Sequence, residues 1–167
     1  SLNINRLIDV KEKKLKKNLP DKFILFCGSY DYKPNKLAIN FIINHLLPEL
    51  KKKNIYLVLT GNHKINFFNK KEFNLNFVSS NELKYLHKKS ICLIVPIFEG
   101  YGTRIKILEA LIWNNKILST TKGIEGIKYK KNKNIIVANN KFKMIKGINY
   151  FLKHNTSYKS LKQNLSE

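Results

Sequence analysis

Short unbroken apolar runs alternate with stretches whose apolar residues recur at helical spacing, and this alternation constrains the fold more than any other feature of the chain. Phe23 to Cys27 is a compact apolar run closed by Gly28, the form of a strand buried on both faces. Ala38, Phe41, Ile42, His45 and Leu46 then follow helical spacing. This helix is expected to end around Lys51 to Lys53, where positive charge meets the negative end of the helix dipole. Ile55 to Leu59, closed by Thr60-Gly61, reads as a second strand and Leu75 to Val78 as a shorter third. Asn81 with Glu82 is expected to open and cap a helix that closes on Lys88-Lys89. Ile91 to Ile97 is the fourth strand, followed by a glycine-bearing turn and a helix from about Thr103 to Trp113. Lys116 to Ser119 and Asn134 to Ala138 supply two more strands, and Phe142 to Leu152 a further helix. Strand then helix, several times over, predicts an α/β fold of Rossmann-like type: three layers, a parallel sheet with helices on both faces.

At 167 residues the chain has room for one such domain, placed at 22–167. Residues 1–22, with the run Lys11-Glu12-Lys13-Lys14-Leu15-Lys16-Lys17, read as a linker or lead-in helix. Cys27 and Cys92 fall inside predicted buried strands and act as small core hydrophobes, which suits a reducing, cytoplasmic setting. The apolar runs stay far below the ~18 residues of a membrane span. The start at Ser1, without Met or an apolar leader, predicts a fragment or trimmed domain.

The formal charge is +21, from 32 Lys+Arg against 11 Asp+Glu, a balance that invites a nucleic-acid or anionic-membrane reading. Sorted by type, only Arg6 and Arg104 are arginine, whereas phosphate readers enrich the bidentate guanidinium. Asn and Ile are abundant and Ala is confined to positions 38, 110 and 138, the pattern of AT-rich codons. The charge is therefore read mainly as composition on solvated surfaces, with a docking face for acidic partners as the alternative.

In parallel sheets of this kind the ligand lies beyond the carboxyl ends of the strands, so the loops there carry the chemistry. After the fourth strand the chain reads Pro96-Ile97-Phe98-Glu99-Gly100-Tyr101-Gly102-Thr103-Arg104-Ile105-Lys106-Ile107-Leu108-Glu109-Ala110. Gly100 and Gly102 let backbone approach a ligand, and Thr103 and Arg104 expose amides at a helix N-terminus, an anion site. Arg104 adds a planar fork for phosphate oxygens, Lys106 a point charge, and Glu109 an acceptor for vicinal hydroxyls. These residues describe a pocket for a nucleoside diphosphate. They also read as a capped helix with a surface Lys106 to Glu109 pair, and spacing alone leaves both open.

Four segments together resemble a known family. Phe26-Cys27-Gly28-Ser29-Tyr30-Asp31-Tyr32-Lys33-Pro34-Asn35, Leu59-Thr60-Gly61, Pro96 with Gly100 to Ala110, and Ser119-Thr120-Thr121-Lys122-Gly123-Ile124-Glu125-Gly126 are similar to the donor-binding half of group 1 (family 4) glycosyltransferases over roughly residues 22 to 155. The resemblance implies one half of a GT-B architecture of two Rossmann-like domains. It implies a hexosyltransferase that binds a UDP- or GDP-sugar, needs no metal or further cofactor, and transfers the sugar with retention to a glycan or lipid-linked acceptor. Residue by residue, Glu109 matches the glutamate on the ribose hydroxyls, Gly102, Thr103 and Arg104 the diphosphate loop, and Gly28 the first-strand glycine. Gly61, Gly100, Tyr101 and Lys106 join the donor pocket, and Lys33 is a second phosphate contact. Val78 to Glu82, with Asn81 where an Asp is common, brackets the base. The motif's first glutamate would stand where Tyr101 is, and the nearest acid is Glu99, which with Glu109 is the expected catalytic pair. Implied partners are an N-terminal acceptor-binding domain, without which the chain is inactive or weak, and an anionic surface at the inner face of the cytoplasmic membrane, in polysaccharide or glycolipid assembly.

A dinucleotide fold would want Gly-x-Gly-x-x-Gly after the first strand and a P-loop ATPase Gly-x4-Gly-Lys-Ser/Thr; neither occurs. His45, His63, His87 and His154 lack metal spacing. The rival from another class is a basic α/β nucleic-acid-binding module with Tyr30, Tyr32 and Tyr101 as stacking groups, and scarce arginine weighs against it.

Overall fold

In the computed structural model, residues 4–62, 72–100, 104–129 and 134–154 are described. The strands are β1 (Phe23–Cys27), β2 (Tyr56–Thr60), β3 (Glu72–Asn74), β4 (Leu93–Val95), β5 (Ile117–Ser119) and β6 (Ile135–Val137). They pair in the order β3-β2-β1-β4-β5-β6, every neighbour parallel. The first five-residue run is buried throughout, as a strand covered on both faces requires. The order reverses between β1 and β4, where the chain stops building one side of the sheet and begins the other.

The helices are α1 (Ile4–Ile8), α2 (Lys33–Phe41), α3 (Leu47–Lys51), α4 (Ser80–Lys89), α5 (Arg104–Ile112) and α6 (Lys141–Lys153). A π-helical turn, Ile42–Leu46, joins α2 to α3 and packs against α6 on one face. On the other face His87 of α4 meets Trp113 just beyond α5, with ring centroids 5.1 Å apart. Right-handed crossovers that leave β1 in one direction and β4 in the other place their helices on opposite faces, as seen. Cys27 and Cys92 are buried thiols, pushed up to about 12 by burial, and behave as the core hydrophobes expected of them.

Four local expectations shift. The helix placed from Ala38 begins at Lys33, because Pro34 in its first turn has the fixed φ that a helix start favours. Its middle is π rather than α. Pro48 lacks an N–H and its ring crowds the carbonyl four residues back, and the wider turn, with Leu47 N–H donating to the Ile42 carbonyl, makes room. The third strand is Glu72–Asn74, and Leu75–Val78 follows it: Leu75 N–H still donates to the Leu59 carbonyl at 2.9 Å, then Asn76 at φ +53° turns the chain away. The fourth helix is capped by Ser79, whose hydroxyl accepts from Glu82 N–H at 3.3 Å while the Glu82 carboxylate accepts from Ser79 N–H at 3.0 Å. Asn81 lies inside the first turn.

The lead-in lies against the domain. Trp113 Nε1–H donates to the Leu7 carbonyl at 3.0 Å, Lys13 N–H to the Asn81 carbonyl at 3.1 Å, and Glu12 pairs with Lys88 at 2.5 Å. Among the described residues no helix is long and apolar enough to cross a membrane.

Candidate functional site

A crevice opens at the carboxyl ends of β1 and β4, where the strand order reverses. Gly28 closes β1 at φ +149°, and a Cβ there would stand 2.6 Å from Asn35 Nδ2, so no other residue fits. The turn after it is stitched to the loop after β2: Gly28 N–H donates to the Thr60 carbonyl at 2.9 Å, Tyr30 N–H to the Asn62 carbonyl at 3.1 Å, and Ser29 Oγ to the same oxygen at 3.2 Å. Gly61 backs this turn, its Cα so close that a Cβ would meet the Gly28 carbonyl oxygen at 2.6 Å.

On the other lip, Glu99 and Gly100 follow β4. Lys33 Nζ reaches the Glu99 carboxylate at 3.2 Å across the mouth, both side chains well exposed. Gly100 packs on Pro34, where a Cβ would clash at 2.6 Å. The structure thus gathers Gly28, Lys33, Glu99 and Gly100 at one place. Tyr101, Gly102 and Thr103 lie outside the described residues, and Arg104 supplies the first backbone position of α5.

Beneath the mouth lies a buried polar cluster. Lys106, only 3% exposed, passes over the Phe26 ring at 4.5 Å and donates to Asn35 Oδ1 at 3.1 Å. Asn35, 2% exposed, donates from Nδ2 to the Ser29 carbonyl at 2.9 Å. One amide therefore ties α5 on one face to the glycine turn and α2 on the other. Burial lowers the Lys106 ammonium to about 8, partly opposed by Cys27 and Glu109 beside it. Burial raises the Glu109 carboxyl to about 7, with Lys106 pulling the other way. Near neutral pH this floor holds one cation and one carboxyl that are both close to changing charge, an arrangement concentrated at binding and catalytic sites.

Asn35 is absent from the sequence-derived site. The available signal was an Asn directly after Pro34 in a helix's first turn, a position that ordinarily reads as solvated. Asn81 is placed differently from expectation: its Nδ2 donates to the Lys11 carbonyl at 2.6 Å, which turns the amide toward the lead-in and away from the glycine turn. Tyr30 is half-buried, its hydroxyl donating to Asn40 at 3.4 Å with Lys36 5.4 Å from its ring. No group of three His, Cys, Asp or Glu able to hold a metal occurs among the described residues.

Comparison with known proteins follows the same lines. A family model described as glycosyl transferases group 1 matches residues 21–154. The C-terminal domain of a glycosyl transferase group 1 family protein, LpcC, from Francisella tularensis is similar with a TM-score of 0.58 at 14% identity, over 89% of this chain and 88% of that one. UDP-GlcNAc 2-epimerase from Methanocaldococcus jannaschii, in complex with UDP-GlcNAc and UDP, is similar with a TM-score of 0.52 at 19% identity, over 91% of this chain. The chain spans 42% of that epimerase's length. No curated protein sequence matches it.

Proposed function

The chain belongs to the group 1 glycosyltransferases, and from that premise we propose that it is the donor-binding half of a two-domain GT-B enzyme that transfers a sugar from a UDP- or GDP-sugar to a glycan or lipid-linked acceptor with retention. The observation that carries the reading is the crevice at the strand reversal, where a glycine turn, an ion pair at the mouth and a buried Lys106 and Glu109 converge.

By the family resemblance, Gly102, Thr103 and Arg104 are the residues that bind the diphosphate, together with the Gly28 turn. Lys106 adds positive charge from below. Together these groups take up the charge that develops on the leaving diphosphate as the bond to the anomeric carbon breaks. Glu109 accepts hydrogen bonds from the ribose diol, and Glu99 orients the donor sugar. No metal is required in this scheme.

A second domain over the crevice completes the enzyme. Support comes from where apolar surface is left uncovered: of the exposed large apolar side chains among the described residues, Tyr32, Phe77, Phe98, Ile105, Val137 and Phe142 stand at the carboxyl end of a strand, in the loop after it or in the first turn of the next helix, with Phe77 at 80% and Phe142 at 82%, while Ile8 and Leu37 stand elsewhere. Large apolar groups gathered on one rim mark an interaction site. The lysine-rich remainder of the surface favours work beside an anionic membrane, at ~1 kcal/mol for each Lys near the lipid.

Titration calorimetry of the purified chain with UDP and GDP tests the reading. One of the two is expected to bind, and Arg104→Ala and Glu109→Ala each to weaken it about tenfold, the loss of one charge-assisted hydrogen bond. No binding of either nucleotide, or binding indifferent to both substitutions, refutes it. A steeply salt-dependent affinity for single-stranded nucleic acid that nucleoside diphosphates do not displace would favour the basic-module alternative.

A further inference from the structure

From Gly126 to Ser166 the sequence holds ten lysines and no Asp or Glu. β6 and α6 lie in this stretch, at the edge of the sheet two strands beyond the crevice. Between them runs a groove of about 640 Å³ that none of the donor residues named above lines. Its floor is Ile136 of β6 with Gly147 and Tyr150 of α6, and its rim is Lys143, Lys146 and Lys153. Gly147 lets helix and sheet close up, since a Cβ there would stand 2.8 Å from Leu118 Cδ1 and 3.4 Å from Ile136 Cγ2. Glycine inside a helix is otherwise unfavourable. Tyr150 is held in place by stacking on His154, with ring centroids 4.1 Å apart.

β6 is also an edge strand. The Asn134 carbonyl accepts from Ile117 N–H at 2.7 Å and Ala138 N–H donates to the Ser119 carbonyl at 2.8 Å, with Ile135 opposite Ile117 and Val137 opposite Ser119. Alternate residues of a strand bond to a given parallel neighbour, so Ile135 and Val137 direct N–H and C=O away from β5. Among the described residues no strand lies on that side. Edges are commonly guarded by charge on the strand itself. Ile135-Ile136-Val137 carries none, and the lysines stand across the groove on α6. Lys143, Lys146 and Lys153 take no part in the ion pairs of the described residues.

We propose that this groove takes up an acidic, extended segment of a partner protein. The segment adds to β6 as a further strand, sets apolar side chains on Ile136, Gly147 and Tyr150, and reaches Lys143, Lys146 and Lys153 with carboxylates. In such additions main-chain hydrogen bonds supply affinity and the side-chain contacts supply selectivity. Charge and shape decide between occupants. A second copy would bring the same lysines to the same rim and be repelled. A bilayer surface offers no row of main-chain donors and acceptors to match Ile135 and Val137, and a nucleic acid meets the lysines while leaving that edge unpaired. The groove stands two strands from the donor crevice and binds its partner whether or not a nucleotide is held there.

Fluorescence anisotropy on the whole chain tests this with a labelled peptide of about ten residues, the length of a long strand, alternating Glu and Val. It is expected to bind saturably, and its counterpart alternating Lys and Val is not. Methylating every backbone nitrogen of the acidic peptide keeps its charge and removes its strand-forming donors, so affinity should fall at least about tenfold. Lys143→Glu with Lys146→Glu should weaken the unmethylated peptide at least about tenfold as well. Both lysines are exposed, so the doubly changed chain keeps its fold, which an unchanged melting temperature verifies. If the acidic peptide does not bind, the lysines only guard the edge; if the methylated peptide binds as well as its parent, charge alone holds it. Either result overturns the docking site. So does a groove that takes phosphatidylglycerol vesicles or a single-stranded oligonucleotide in place of the peptide, or a dimer in light scattering that the two substitutions dissolve. Peptide binding without UDP or GDP binding sinks the donor reading alone, and the reverse sinks the docking site alone.

Discussion

Two buried polar clusters sit at opposite edges of the same sheet, and burial has done different things to them. At the amino-end edge, His87 is packed against Trp113, and its Nδ1 accepts from Asn115 Nδ2 at 3.0 Å. The same Nδ2 reaches Ser90 Oγ at 3.1 Å, and Ser90 Oγ donates back to the His87 carbonyl at 3.2 Å. An acceptor at Nδ1 requires a neutral ring, and desolvation lowers this imidazole to about 3. At the carboxyl-end edge, Lys106 and Glu109 are displaced only as far as about 8 and about 7. The lower cluster is locked in one protonation state across the physiological range. The upper one stays close to its charge change near neutral pH, as the donor-binding role proposed for it would use.

The largest expected effect breaks the lower cluster by acid. A histidine whose folded value lies below its unfolded value supports the fold fully above the unfolded pKa of 6.5 and withdraws that support as pH falls toward about 3. Between those limits the loss is about 1.4 kcal/mol per pH unit, or roughly 3 kcal/mol between pH 6.5 and pH 4. Urea midpoints should therefore fall steeply over that interval, and His87→Phe, which keeps a ring against Trp113, should flatten the fall. Parallel pH curves for the two proteins would place the acid sensitivity elsewhere.

The next effect sharpens the upper cluster. Asn35→Ala leaves the Lys106 ammonium and the Ser29 carbonyl buried without their tie, a cost of about 1–3 kcal/mol in stability. Because the same amide shapes the Gly28 turn, nucleotide affinity should fall as well, whereas a cut of equal cost at Asn115 should leave affinity unchanged. The signs of the pH dependence also differ from the lower cluster. Glu109, raised in the fold, costs stability as pH climbs from 4.5 through about 7; Lys106, lowered in the fold, gives stability back only as pH climbs from about 8 toward 10.5. The upper edge is thus least favourable between those values, near neutral pH, where the lower edge is at its plateau. A ligand that stabilises the charged pair relieves that cost, so nucleotide should raise the melting temperature more at pH 7.5 than at pH 5.

Much of this was written in local sequence. Apolar runs located the strands, and Gly28 and Gly100 marked both lips of the crevice, because a five-residue buried strand and a glycine turn are decided by residues adjacent in the chain. What escaped was decided at a distance. Lys106 and Asn35 are 71 positions apart, and neither carries a local sign that the other will desolvate it. The π turn before Pro48 reflects a backbone clash that hydrophobic spacing does not register. Leu75 to Val78 read as a strand from their apolar side chains, but only Leu75 keeps a bond to β2 before Asn76, at positive φ, turns the chain away. The Ser79 cap lies two residues from Asn81 because only Ser79 has Glu82 three positions on, which completes a reciprocal box.

The smallest expected effect lies at the mouth of the upper cluster. Lys33 and Glu99 are joined at 3.2 Å, yet both stand in water, and exposed pairs contribute about 0–1 kcal/mol. Glu99→Gln should move the urea midpoint almost imperceptibly at 0.15 M salt, and not at all at 1 M, where the screening length has shrunk to about 3 Å. The informative quantity is binding. Freed from Glu99, the Lys33 ammonium is available to a phosphate oxygen, so nucleotide affinity should rise slightly in Glu99→Gln and drop in Lys33→Ala, with the rise lost when both are changed. If Glu99→Gln weakens nucleotide as much as Lys33→Ala does, the pair acts as one rigid lip whose geometry matters more than its charge, and the mouth would then belong with the locked lower cluster rather than the poised upper one.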